Sequence, residues 1–258
     1  MIRDTLTPVL TGLEKEKFIY IFERTYIYEK FRNFLNLILT LAQFKKIKIN
    51  LSDLNNFDDY LGLCQTFDAK GQIAPKQEKN ALINFVDRFS KTNVVIIKKI
   101  TNHVIMHEMA HALEKQLNID LVTDFLPKII FDIKNCNTKN IIIKNQIQQL
   151  MVDELKGYSR NHFLSELFAR YFEIYAFAKE ISNESSVSIF DLDKIFIKTN
   201  EWLNGFLNPL LKQYCSLDVM NYSKKRETTS IYKSKWVDKG KTFRGNLKWS
   251  DRNKSNFN

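Results

Sequence analysis

Val104-Ile105-Met106-His107-Glu108-Met109-Ala110-His111-Ala112-Leu113 sets two histidines four residues apart with a glutamate between them. On a helix, positions i and i+4 share a face, so both imidazoles can converge on one ion. Zn²⁺ takes histidine nitrogens readily. Glu108 is turned about 100° from His107 at 3.6 residues per turn. Its carboxylate then stands beside a metal-bound water rather than on the metal, in the position of a general base. Glu108 is the only charged residue other than the histidines from Val104 to Leu113, so the helix reads as buried on most sides. Ionisable groups in such a helix need partners, because an unpaired buried charge is costly. The plainer reading is a surface helix carrying His/Glu pairs.

A catalytic zinc has three protein ligands and one open position. The third ligand is expected from Ser159-Arg160-Asn161-His162-Phe163-Leu164-Ser165-Glu166-Leu167-Phe168-Ala169-Arg170-Tyr171-Phe172-Glu173, a helix with Ser159 as its N-cap. His162, Glu166, Ala169 and Glu173 form one stripe along it. Ala169 is small and lets a neighbouring helix approach. Glu166 lies 55 positions beyond His111, enough chain to turn round and present it. That gives a His107, His111, Glu166 zinc site, with Glu173 as the rival third ligand. His162 is a ligand or a donor to the reacting oxygen. Glu166 could instead be an i,i+4 ion-pair partner of Arg170, or be supported by it.

These residues carry a resemblance. H-E-x-x-H-A-L followed by S-E-L-F-A-R-x-F-E resembles the zincin-like metallopeptidase domain of large polyvalent proteins of phages and conjugative elements. The resemblance covers roughly residues 93 to 178 and is tightest at the two motifs. In that family a short strand precedes the first helix, here matched by Asn93-Val94-Val95-Ile96-Ile97, and a later helix carries the E-L/M-F-A-R pattern, here Glu166 to Arg170. The glycine-rich stretches found upstream of the first histidine in that family are absent here. The pattern is also similar to proteases that clear phage or stress-response repressors, and to antirestriction proteins with a metalloprotease half. The resemblance implies zinc-dependent hydrolysis of a protein or peptide substrate, with Glu108 activating a zinc-bound water. His162, Tyr158 and Tyr175 are candidate donors to the tetrahedral oxygen. The alternative is a non-catalytic, zinc-containing binding protein of a mobile element, antirestriction-like or nucleic-acid-associated.

Elsewhere the chain reads as mostly helical. It has 44% hydrophobic residues, only 7 Gly and 4 Pro, and no internal repeat. The fold class expected is α+β, predominantly α-helical, zincin-like with a minimal β-sheet. From Glu14 to about Lys46 there is no Gly or Pro, and aromatic and aliphatic residues recur at helical spacing, as one long helix or two. Thr11 and Glu14 are spaced as a capping box. Asn50 to Gly71 reads as loop with short pieces of structure. Pro75 opens a helix to about Ser90. Val94 to Ile97, β-branched throughout, reads as the one clear strand. An edge strand beside the motif helix can take up an extended peptide by main-chain pairing. Active-site helices are placed at about 102–117 and 159–181. His103 reads as a helix-start residue. Further helices are expected near 124–135, from Thr138 to Lys156 with Gly157 ending it, and from Ser188 to about Tyr214, interrupted near Gly205 and Pro209.

Two segments are expected: a zincin-like domain at 1–215 and a basic, aromatic-containing tail at 216–258. The net charge is +10, of which +8 lies in residues 221–258, with 11 Lys/Arg and 3 Asp/Glu. Trp236 and Trp249 each follow a lysine there. Basic charge interleaved with aromatics suits nucleic acid, through phosphate contacts and base stacking. A solvated tail or a packing arm gives the same composition. Three widely spaced cysteines without a C-x-x-C favour free thiols in a reducing compartment. No secretory signal and no membrane span is read, so a cytoplasmic protein is expected, with delivery by a signal-less secretion route left open.

Overall fold

The computed structural model describes residues 1–26, 29–51, 61–67, 71–73, 91–117, 119–136, 138–139, 141–182 and 189–214. The expected helix after Pro75, the linker at 183–186 and the tail from Asn221 lie outside these residues. The described part is mainly helical, with a small mixed sheet, an α+β architecture.

The sheet has four strands: β1 (Leu10–Gly12), β2 (Ile47–Leu51), β3 (Gly62–Phe67) and β4 (Thr92–Ile97), in the order β1-β2-β4-β3. β2 runs parallel to β1 and to β4, and β3 runs antiparallel to β4. In β2, Ile47, Ile49 and Leu51 point inward and Lys48 and Asn50 outward, the two-residue period of a half-buried strand. Val95 and Ile97 of β4 are fully buried beside them. β4 therefore has a neighbour on both sides. The terminal strand next to it is β3, in the stretch the sequence reads as loop.

Three helices lead in or pack on the sheet: α1 (Ile2–Leu6), α2 (Lys15–Tyr26) and α3 (Glu29–Gln43). The Glu14–Lys46 run is thus two helices. Thr11 is in β1, where its hydroxyl donates to the Ile49 carbonyl at 3.4 Å, so the Thr11/Glu14 capping box does not form. Parallel pairing with β2 claims Thr11 first.

The motif helix, α4 (Asn102–Leu117), has the expected bounds. Every residue from Val104 to Leu113 except His107 is buried. One apolar side meets the sheet. A buried polar chain fixes the distance between helix and sheet: Thr66 Oγ1 donates to Asn93 Oδ1 at 2.7 Å, and Asn93 Nδ2 donates to Gln116 Oε1 at 3.0 Å. This ties β3, β4 and α4 together with each buried polar group paired.

After α4, Asp120 accepts from the Val122 and Thr123 amides at 3.2 Å and caps a π-helical turn, Leu121–Phe125, which runs into α5 (Leu126–Lys134). α6 (Ile141–Gln148) ends in a second π-turn, Gln149–Asp153. Gly157, at φ +94°, turns the chain in a conformation that favours glycine. α7 (Arg160–Ser182) follows, the helix expected at 159–181. Then come α8 (Ile189–Ile195), α9 (Ile197–Trp202), a π-turn at Leu203–Leu207 and α10 (Asn208–Tyr214).

α4 and α7 pack directly on each other, with the fully buried Ala169 keeping α7 slim. The rest of α7 is clamped by an aromatic core. Phe168 meets Phe125 edge-on at 5.3 Å, and Phe172 lies 5.1 Å from Phe34 and 5.6 Å from Phe31. Each buried ring contributes about 1.5–3 kcal/mol, and edge-to-face geometry adds to that. Among the described residues no helix is long and apolar enough to cross a membrane.

Candidate metal centre

The i,i+4 pair on α4 meets Glu166 of α7. His107 Nε2 lies 3.4 Å from Glu166 Oε2, and His111 Nε2 lies 3.3 Å from Glu166 Oε1. The two Nε2 atoms are 3.1 Å apart. A tetrahedral zinc site with bonds of about 2.0–2.1 Å has ligand–ligand edges of about 3.3–3.4 Å. The two contacts to Glu166 end on different carboxylate oxygens, and one ligand atom from each of the three residues lies within 4.8 Å of the others. His107, His111 and Glu166 form a group that could hold a metal ion.

Both imidazoles turn Nε2 inward and Nδ1 outward. His107 Nδ1 is 2.8 Å from Glu173 Oε2, and His111 Nδ1 is 3.0 Å from Ser165 Oγ. Glu173 is therefore the outer partner of a histidine, and Glu166 is the carboxylate facing inward. Arg170 does not support Glu166, as one reading of the i,i+4 spacing has it. Its guanidinium bonds Glu173 at 3.1 Å and Glu154 at 2.9 Å. Glu154 follows the second π-turn and competes successfully because it approaches from another element. The outer carboxylate is thereby held on both sides, as metal-ligating histidines usually require.

The electrostatics agree with a centre built for positive charge. Burial pulls His107 down, but its hydrogen bonds to Glu166 and Glu173 outweigh this and push it up to about 10. Burial lowers His111 too, and Glu114 and Glu166 reverse the sign. Burial raises Glu166, and the two histidines pull it far below the ordinary carboxylate range.

Glu108 is buried beside this group, 4% exposed, and its Oε2 has no hydrogen-bond partner among the described residues. Burial raises its pKa, and the nearby histidines partly offset that. The side chain lies against β3. A Cβ at Gly62 would come within 2.5 Å of Glu108 Cγ and Oε1. Glycine in a strand often marks such a close approach.

The remaining candidates separate. His162 Nδ1 is 3.1 Å from Ser159 Oγ at the start of α7, and His162 is not one of the three grouped residues. His103 Nε2 is 3.2 Å from Thr101 Oγ1, a helix-start position as expected. Tyr175 is buried in the aromatic core, and its hydroxyl donates to Asp193 at 2.9 Å. It is removed as an oxygen-stabilising donor, since that hydroxyl is already committed among core residues. Tyr158 is 37% exposed. Its pKa is raised by burial and by Glu166, which places the phenol within the carboxylate's field.

Sequence reasoning missed Gly62, Glu114, Ser165 and Glu154. Glu114 at i+3 from His111 and Ser165 next to Glu166 carried a spacing signal; Gly62 and Glu154 carried none. No family model, curated protein or solved structure matches this chain.

Proposed function

We propose that this protein is a zinc-dependent metallopeptidase acting on a protein or peptide substrate. The observation that supports this best is the convergence of His107, His111 and Glu166 beside a buried carboxylate, Glu108, whose Oε2 has no hydrogen-bond partner among the described residues. His107, His111 and Glu166 would hold the ion. Bound zinc would supply Lewis acidity, lowering the pKa of water and polarising a carbonyl. Glu108 takes a proton from the attacking water and delivers it to the departing amine as the C–N bond breaks. Burial suits that task, because a carboxylate with a raised pKa both accepts and returns a proton near neutral pH. Tyr158, kept protonated, is the donor we assign to the tetrahedral oxygen. Among the described residues β3 is the edge strand beside α4, and it would be the one to pair with an extended peptide. The donor set, two imidazoles and a carboxylate, suits zinc and is a known catalytic set.

The test measures metal content and cleavage together. Wild-type protein should carry one zinc per chain. His107→Ala and Glu166→Ala should lose it. Glu108→Gln should keep it while losing Glu108-dependent new protein termini in cells. Full zinc in Glu166→Ala would remove Glu166 as a ligand.

The burial of Glu108 under β3 also favours a second reading, a zinc-containing binding protein without turnover. Equal cellular phenotypes for wild type and Glu108→Gln, with no new termini in either, would select it.

A further inference from the structure

We infer that Ser165 and Glu114 are positioning residues that fix the tautomer and orientation of His111. The inference rests on the metal-holding reading of the site and adds residues that reading does not use. Ser165 Oγ donates to Glu114 Oε2. A serine hydroxyl has one hydrogen, and an ionised carboxylate has none to give. The Ser165 hydrogen is therefore spent on Glu114. At 3.0 Å from His111 Nδ1, its oxygen can only accept, so Nδ1 carries the proton. Nε2, on the side of Glu166 and His107, is then the nitrogen that would offer its lone pair to a metal.

The serine is needed as an intermediary. Glu114 Oε2 is 3.9 Å from His111 Nδ1, beyond hydrogen-bond distance. Glu114 sits one turn along α4 from His111, and Ser165 immediately precedes Glu166 on α7. The relay thus crosses the α4–α7 seam, next to the carboxylate facing inward. His107 reaches its carboxylate, Glu173, directly at 2.8 Å. The two histidines are oriented by different devices, and only the His111 device depends on a hydroxyl.

The probe is zinc itself. Its dissociation constant is measured by chelator competition on metal-stripped full-length protein, beside the melting temperature of the stripped protein. Ser165→Ala should weaken zinc binding about 10–100-fold, the usual scale for loss of an outer partner. Ser165→Thr, which restores the hydroxyl, should recover most of that. Glu114→Gln keeps an acceptor but removes the charge and should weaken binding less than Ser165→Ala. If Ser165→Ala melts well below wild type when stripped, Glu114→Gln alone decides. Affinities within threefold of wild type for Ser165→Ala and Glu114→Gln would overturn the relay. A wild type that takes up no zinc would instead overturn the metal reading beneath it.

Discussion

At Glu173 a single rotation about the helix axis separates a ligand from a ligand's support. Glu166 and Glu173 share a stripe on α7, and local spacing does not rank them. In the fold, Glu173 meets the outer nitrogen of His107 and Glu166 the inner ones. Glu173→Gln should therefore keep full zinc stoichiometry at excess metal and raise the dissociation constant about tenfold. Loss of stoichiometry instead would return Glu173 to the ligand set. The two tyrosines separate by a different pair of measurements. Tyr175→Phe removes a buried hydroxyl from Asp193 and Asn200 and should cost about 1–2 kcal/mol of stability. Tyr158→Phe should leave stability unchanged and reduce turnover of any cleaved substrate. His107, Glu108 and His111 were legible in the sequence because i,i+4 geometry is local. The partners of Arg170 were not, since Glu154 arrives from a turn whose position depends on tertiary packing.

Among the elements, β3 bears most directly on chemistry. Gly62 lets its backbone press on Glu108, and alanine there would drive into the carboxylate. Gly62→Ala should keep zinc bound and displace Glu108, so cleavage should fall while metal content holds. Loss of zinc in this variant would mean that β3 shapes the ligands as well. The same strand shields Cys64. Burial pushes that thiol up to about 12. Thiol reagents at neutral pH should leave Cys64 unmodified in the folded protein and label it after denaturation. β4 and the two helices that carry the candidate metal centre, α4 and α7, were readable from β-branched residues and from apolar periodicity. β1, with three residues, and β3, with one β-branched residue in Gly62-Leu63-Cys64-Gln65-Thr66-Phe67, were not. Their strand character comes from pairing with neighbours distant in sequence. β2 alternates cleanly over Ile47–Leu51, but it follows a long helical run that masks a five-residue signal.

For the whole molecule, one buried charge makes stability depend on pH. Lys30 pairs with Asp193 and sits 3.6 Å from the Tyr175 ring centroid. Burial lowers its pKa from 10.5 to about 8, against the opposing pull of Asp193. Between those values the unfolded chain binds more protons than the folded one, so stability rises with pH across that window. Below pH 8 the full cost remains, on the order of 1–3 kcal/mol. The stability gap between Lys30→Met and wild type should therefore shift in favour of wild type from pH 7.5 to pH 10 in urea denaturation. A constant gap would place the lysine in water. The charged tail gives a separate expectation. Removing residues 221–258 should abolish retention on single-stranded nucleic acid at low salt and leave zinc content intact. Intact protein that neither binds oligonucleotide nor shows tryptophan quenching at low ionic strength would assign the tail another role.

The candidate ligands on α4 and α7 stand 59 positions apart in the chain, from His107 to Glu166. A metal held by both helices is then a removable staple, closing a long loop much as a disulfide would but answering to supply rather than to redox state. Closure of this kind couples ion availability to survival of the fold. At a free zinc level 100 times the dissociation constant, binding adds about 2.7 kcal/mol to the unfolding free energy. A cell short of zinc would hold this protein in a looser, more protease-sensitive form. Its abundance would then track the metal, whether or not the site has a substrate.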